Sequence, residues 1–147
     1  MAITTKAGDQ GFTSTKNGIV SKDDELIILL GTIDETIASI VFAQALSKEE
    51  AFKQLIPPLS LIASIVAGYQ SEFPKRYLAE LEFKLQSNIS DFIYPFDDPS
   101  KASINLARTT VRKLERMLVS YQNSKELPPE IIPYINRLSN YLHFFQI

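Results

Sequence analysis

An all-α bundle of five helical segments is the fold that this 147-residue sequence predicts. Apolar residues recur at steps of three and four through successive stretches, the spacing that lines one face of an α-helix. Short polar turns, several of them marked by proline, separate those stretches. Only residues 59–69 could also be read as a buried strand, and no second strand candidate exists to pair with them. With 45% apolar and 22% charged residues, the chain has the length and composition for one core. Residues 1–147 are therefore expected to form a single domain, with an N-terminal loop over 1–20 and a helical bundle over 21–147.

Residues 3–20 are unlike the rest, since they are rich in Gly, Thr, Ser and Lys, lack a helical period and hold three of the five glycines. They read as a loop. Within it TKAGDQGFTST places Gly8 and Gly11 where backbone can approach a ligand, among hydroxyls and with Lys6 and Lys16 close by. Loops of this composition cradle phosphates through backbone N–H groups. The Walker A pattern is absent, and a flexible terminal tail is the plain alternative.

Ser21 opens S-K-D-D, a start resembling a capping box with Asp24 in the first turn. The long helix that follows has a seam of Leu26, Leu30, Ile33, Ile37, Ile40 and Val41. Gly31 inside it costs ~1 kcal/mol relative to Ala, which points to close approach by another helix or a ligand. Asp34 lies one step off the seam, where an acid usually has a cation for company. Ser47 and Glu50 predict a second capping box, for a helix reaching about Ile56 that Pro57-Pro58 breaks or kinks. Residues 59–69 fit a central, tightly packed helix. Pro74 takes the first helical position of the next segment, whose period runs through Tyr77, Leu81, Leu85 and Ile89. Residues 91–99 form a loop with exposed aromatics that call for a packing partner or a ligand.

The stretch 100–120 buries Ile104, Ala107, Val111, Leu114 and Leu118. One position round the cylinder, Arg108, Arg112 and Arg116 recur every four residues, with Lys113 and Glu115 beside them. A row of forked donors next to a buried seam suits a polyanion such as a triphosphate. A solvated face with weak ion pairs is the ordinary alternative. Pro128-Pro129 then start the last helix, with Ile131, Ile135, Leu138, Leu142 and Phe145 inward and Asn136, Arg137, Ser139 and Asn140 on the other side. His143, the single histidine, is expected as a packed or surface residue rather than a general base.

The net charge of -2 offers no global positive field for nucleic acid. The absence of cysteine excludes disulfides, thiolate nucleophiles and Cys-ligated metals, and a single histidine leaves little with which to hold a transition metal, so no protein-held metal is expected. The first residues lack the pattern of a signal peptide, and no uninterrupted apolar run reaches the ~18 residues of a membrane span. A cytoplasmic protein without membrane or nucleic-acid partners is the expectation.

Taken together, TKAGDQGFTST, SKDD, GTIDE at 31–35, RTTVRKLER at 108–116 and NRLSNYL at 136–142 resemble the PduO-type ATP:cob(I)alamin adenosyltransferases. The number, order and spacing of these motifs across the whole chain make the joint match specific. The resemblance implies a five-helix bundle assembled as a homotrimer, with active sites between subunits. It also implies transfer of the 5′-deoxyadenosyl group of ATP, with Mg²⁺, to the Co(I) centre of a reduced corrinoid, cob(I)alamin, giving adenosylcobalamin and triphosphate. A reductase and an adenosylcobalamin-dependent enzyme are the implied protein partners. On the same ground Thr5, Lys6, Ala7, Gly8, Thr13 and Ser14 match the phosphate-wrapping loop, and Lys22 matches a lysine that reaches the nucleotide. Arg112, Glu115, Arg116 and Asn136 match ATP contacts, with Arg112 also among the catalytic positions. Asp34 and Arg108 match an acid and base paired across the subunit interface, and Phe92 an aromatic that crowds the lower corrin face. The sequence departs from the pattern at Lys113, where a second Arg is usual, at Asn140, where Asp is usual, and at 95–99, where Pro-Gly-Gly is usual. An ATP-binding relative that acts as a sensor or corrinoid carrier, and a bundle without nucleotide, are the two rival readings.

Overall fold

The computed structural model describes residues 5–85 and 91–147. Five α-helices follow in order, α1 (Glu25–Ser47), α2 (Ile56–Val66), α3 (Lys75–Lys84), α4 (Pro99–Tyr121) and α5 (Ile131–Phe144), as the periodicity predicts. A hairpin of β1 (Phe12–Thr15) and β2 (Gly18–Ser21) precedes them. Much of the region expected to be loop is thus paired backbone, with Phe12 opposite Ser21 and Thr15 opposite Gly18. Its turn is built from local chemistry. Thr15 Oγ1 donates to the Gly18 carbonyl at 2.7 Å and accepts from Asn17 N–H at 3.2 Å, and Gly18 supplies a φ of 126° that few other residues adopt.

The start of α1 differs from the capping box expected at Ser21. Asp24 is the N-cap, its carboxylate accepting from Leu26 N–H at 2.9 Å, while Ser21 Oγ donates to Asp23 Oδ1 at 2.5 Å. The far end closes on Lys48 in the left-handed region at φ 62°, its N–H returning to the Gln44 carbonyl at 2.7 Å. A 3-10 turn over Glu50–Leu55 then leads into α2. Pro57 and Pro58 open α2 instead of breaking a helix, because first-turn N–H groups lack intrahelical acceptors and a missing donor there costs little. Pro74 is the N-cap of α3. The expected continuation of that helix to Ile89 lies outside the described residues.

Contacts between α1 and α4 pair rising with falling numbers, Thr32 with Met117, Glu35 with Lys113, Ser39 with Thr110 and Leu46 with Ser100, so the two run antiparallel. The α4 seam is buried as predicted, Ile104, Ala107, Val111, Leu114 and Leu118 all lying in the core. It meets Ile131, Ile135, Leu138 and Leu142 of α5 and Leu29, Ile33 and Ile40 of α1 in one cluster.

The face that α1 buries is rotated from the predicted seam. Leu26, Leu30 and Ile37 only flank the core and Val41 is 52% exposed, while Thr32, Thr36 and Ala43 are inside. Thr32 and Thr36 tolerate burial because each hydroxyl donates to a carbonyl one turn back, Ile28 at 2.9 Å and Thr32 at 2.7 Å. Gly31 is exposed, and a Cβ there would meet nothing within 4 Å, so no close approach explains it within the protomer. Contrary to the expectation from uninterrupted runs, α1 has the length and mean hydropathy (1.9) of a membrane span, with only 33% of that window buried in the protomer. Apolar residues on either side of Asp34-Glu35 raise the average without forming one run. Two carboxylates in mid-span weigh against a lipid setting.

Candidate active site

The α4 row opens onto α5. Arg112 Nη1 lies 3.1 Å from Glu115 Oε1 one turn on, and 3.2 Å from Asn136 Oδ1 across the helix pair. Those two contacts fix one edge of the guanidinium, and the side chain still reaches solvent, which leaves N–H donors available to an anion. Arg116 is exposed one turn further and forms no ion pair among the described residues. Lys113 turns the other way, to Glu35 of α1 at 3.0 Å, and so leaves the row.

Toward the other end of α4, Arg108 Nε donates to Asn105 Oδ1 at 3.0 Å, and its guanidinium stands 6.0 Å from the Phe92 ring centroid. Burial first, and the positive charge of Arg112 second, lower the Arg108 pKa below its usual value. Between these groups lies a cleft of about 270 Å³ lined by Asp91, Phe92, Arg108, Arg112, Ser139, Asn140 and His143. Phe92 is 73% exposed, and no aromatic ring among the described residues packs against it.

Four of these lining residues, Asp91, Ser139, Asn140 and His143, are not among the expected site residues. Ser139, Asn140 and His143 follow Asn136 at steps of three and four on α5, the same spacing that marks the arginines of α4, and His143 Nε2 lies 3.0 Å from the Asp91 carbonyl. That periodicity was the available signal; among apolar neighbours a single histidine carries little weight.

The N-terminal segment builds a second group. Lys6 takes a left-handed φ of 61°, Asp9 N–H returns to its carbonyl at 3.1 Å, and Gly11 N–H returns to Gly8 at 3.1 Å. Lys22 N–H bonds the Gly11 carbonyl at 2.8 Å, and its side chain lies over Gly8 so closely that a Cβ would fall 2.6 Å from Nζ. A side chain at Gly8 would displace the flexible end of Lys22, whose amine is brought to the turn that holds Thr5, Lys6 and Ala7. Thr5 Oγ1 accepts from Ala7 N–H at 3.4 Å. Thr13 and Ser14 are consecutive on β1, so their side chains point to opposite faces and are not gathered on one side. Lys16, expected near the glycines, instead donates to the Gly68 carbonyl at the end of α2 and lies 5.5 Å from the Tyr69 ring centroid.

Within the protomer no hydrogen bond or ion pair among the described residues joins 5–22 to Arg112, Glu115, Arg116 or Asn136. Asp34, exposed on α1, likewise makes no ion pair with Arg108 inside one chain. Among the described residues no cluster of three or more His, Asp or Glu could hold a metal ion.

The fold and site define a five-helix bundle with an arginine row over a cleft and a separate glycine-lysine turn. The chain belongs to the cobalamin adenosyltransferase family, whose pattern it matches over residues 3–147. It is 28% identical over 159 residues to the corrinoid adenosyltransferase of Bacillus subtilis, covering 96% of this chain and 82% of that one. The corrinoid adenosyltransferase of Bos taurus is 28% identical over 163 residues, covering 95% and 68%. A variant of the PduO-type ATP:corrinoid adenosyltransferase from Lactobacillus reuteri, complexed with cobalamin and ATP, superposes with a TM-score of 0.82 at 20% identity, covering 99% of this chain and 91% of that one. A second variant of that protein, complexed with ATP, gives 0.82 at 21% identity, covering 98% and 94%.

Proposed function

We propose that the protein carries out its family's reaction, adenosyl transfer from ATP to a reduced corrinoid, at the α4–α5 cleft. The convergence of Arg112, Glu115 and Asn136 beside Arg108 and Phe92 is the observation that carries this reading. The Co(I) electron pair attacks the 5′ carbon of ATP, the C5′–O bond breaks, and that bond's electrons leave with the triphosphate. The nucleophile comes with the corrinoid, so the chain needs no acid–base pair. Its task is to hold the 5′ carbon in line and to neutralise the leaving group. Arg112, oriented by Glu115 and Asn136, and Arg116 meet the phosphates, while Phe92 and Arg108 border the corrinoid. Mg²⁺ would be held mainly by phosphate oxygens, since that ion keeps oxygen and water ligands and the described residues offer it no acidic cluster.

The turn of Thr5, Lys6, Ala7, Gly8 and Lys22 completes the nucleotide site from a neighbouring copy, with Thr13 and Ser14 supplying one side chain to each face of their strand. In this reading three copies assemble, and Asp34 of one pairs with Arg108 of the next. The exposed line of Gly31, Asp34, Ala38, Val41 and Ala45 on α1, at steps of three and four, supports it. So does the lack of an ion pair for Asp34 among the described residues of one chain.

Anaerobic incubation with ATP, Mg²⁺ and chemically reduced cobalamin is expected to convert the Co(I) spectrum to that of alkyl-Co(III) over many turnovers. Arg112→Ala is expected to lower kcat/KM for ATP by about 10²-fold or more, the usual loss when a donor to developing charge is removed. A wild-type protein that leaves the Co(I) spectrum unchanged at many equivalents of substrate overturns the reading.

A further inference from the structure

The described stretch 91–98 that leads into α4 carries Phe92, the aromatic wall of the cleft. We propose that His143 is a positioning residue for Phe92, holding the loop backbone one residue before it. A carbonyl oxygen only accepts, so His143 Nε2, 3.0 Å from the Asp91 carbonyl, carries the hydrogen and donates it. Among the described residues this is the only hydrogen bond from Asp91, Phe92, Ile93 or Tyr94 to a helix. The other end of the loop is fixed independently, Asp98 accepting from Lys101 N–H at 3.0 Å as the N-cap of α4. With the carbonyl of Asp91 held, the Phe92 ring is placed by the torsions of a single residue. It then stands over Arg108, 6.0 Å from the guanidinium, instead of swinging into solvent. His143 is itself on rigid helix in the last turn of α5 and lines the same cleft. A loop that offers three exposed aromatics, Phe92, Tyr94 and Phe96, would otherwise sample several walls for one cleft.

The consequence for catalysis rests on the adenosyltransferase reading, in which Phe92 faces the corrinoid. His143→Phe keeps a ring of similar bulk and removes the N–H; His143→Gln keeps a donor at comparable reach. With His143→Phe, KM for the corrinoid is expected to rise about 3- to 10-fold, the scale of one lost hydrogen bond, while KM for ATP stays unchanged. Amide exchange over 91–96 should quicken in the same variant. His143→Gln should restore both. Unchanged exchange in His143→Phe, an unmoved corrinoid KM, or a Gln variant as impaired as the Phe variant would each overturn the proposal. If the wild type proves inactive, the function assigned above falls, and the exchange comparison still decides whether His143 holds the loop.

Discussion

Arg112 illustrates how a residue becomes a site through its neighbours. Arg108, Arg112 and Arg116 are equivalent in spacing, and only the fold separates them: Asn136 and Glu115 orient the middle one, Asn105 and Phe92 engage the first, and the third points to solvent. The row was legible in sequence because its period is that of a helix. His143 was not, since its one signal is the polar spacing shared with Asn136, Ser139 and Asn140, and its partner is a backbone carbonyl 52 residues away. Tyr134 shows a residue whose role is pure stability. Its ring is buried, 5.5 Å from the Phe73 centroid, and burial first, then the negative charges that Tyr77, Glu80 and Tyr141 would bring, raise its pKa well above the usual phenol value. The folded state therefore keeps the Tyr134 proton where the unfolded chain releases it, near pH ~10. That stabilisation is complete below this pH and is lost as pH rises beyond it. Tyr121 and Tyr141 are shifted in the same direction, chiefly by burial. Melting temperatures between pH 8 and 11 should fall less steeply in Tyr134→Phe than in wild type. Equal slopes would show that Tyr134 does not control alkaline unfolding.

At the scale of elements, α4 and α5 were readable and α1 was not, for a physical reason. Each of the first two has one apolar face, so period alone fixes which side is buried. On α1 apolar residues surround the cylinder, and choosing a face needs knowledge of where the threonine hydroxyls are satisfied. The hairpin escaped notice because each strand has only four residues, and neither FTST, with one apolar residue, nor GIVS, with two adjacent ones, shows apolar alternation. Only their pairing and the Gly18 turn reveal them. Caps failed similarly: S-K-D-D contains three candidate caps within four residues, and the geometry selected Asp24. A direct comparison of the two kinds of position is available. Leu114, fully buried between α4, α1 and α5, should cost ~2–5 kcal/mol on truncation to Ala, by lost burial plus the cavity left behind. Val41→Ala on the outer face of α1 should cost far less in a protein diluted to protomers. Urea unfolding with equal losses for the two would contradict the burial assigned to these faces.

At the scale of the whole molecule, what remains is the surface that one chain leaves uncovered. α1 is hydropathic enough for a membrane yet only 33% of its apolar window is buried. A helix that is apolar all round is normally covered on all sides. Ile28, Val41, Phe42 and Leu46 remain exposed on it, with Gly31 and Asp34 on the same outward side. In the three-copy assembly proposed above, this face would be covered without lipid and Asp34 would gain a cation. The same assembly would bring the Gly8–Lys22 turn of one copy to the arginines of another, a junction that no hydrogen bond or ion pair makes among the described residues of one chain. Arg108 is the partner proposed for it, because partial burial and the repulsion from Arg112 would make a carboxylate beside it more favourable than at an open surface. The pairing has a quantitative signature. Asp34→Ala and Arg108→Ala should each weaken the trimer by sedimentation and lower activity, and the double variant should lose less than the two losses summed, by about 0.5–3 kcal/mol. Strict additivity in both measurements would show that the two residues never meet. Additivity in activity alone would place the pair in assembly and leave Arg108 acting at the cleft through Phe92.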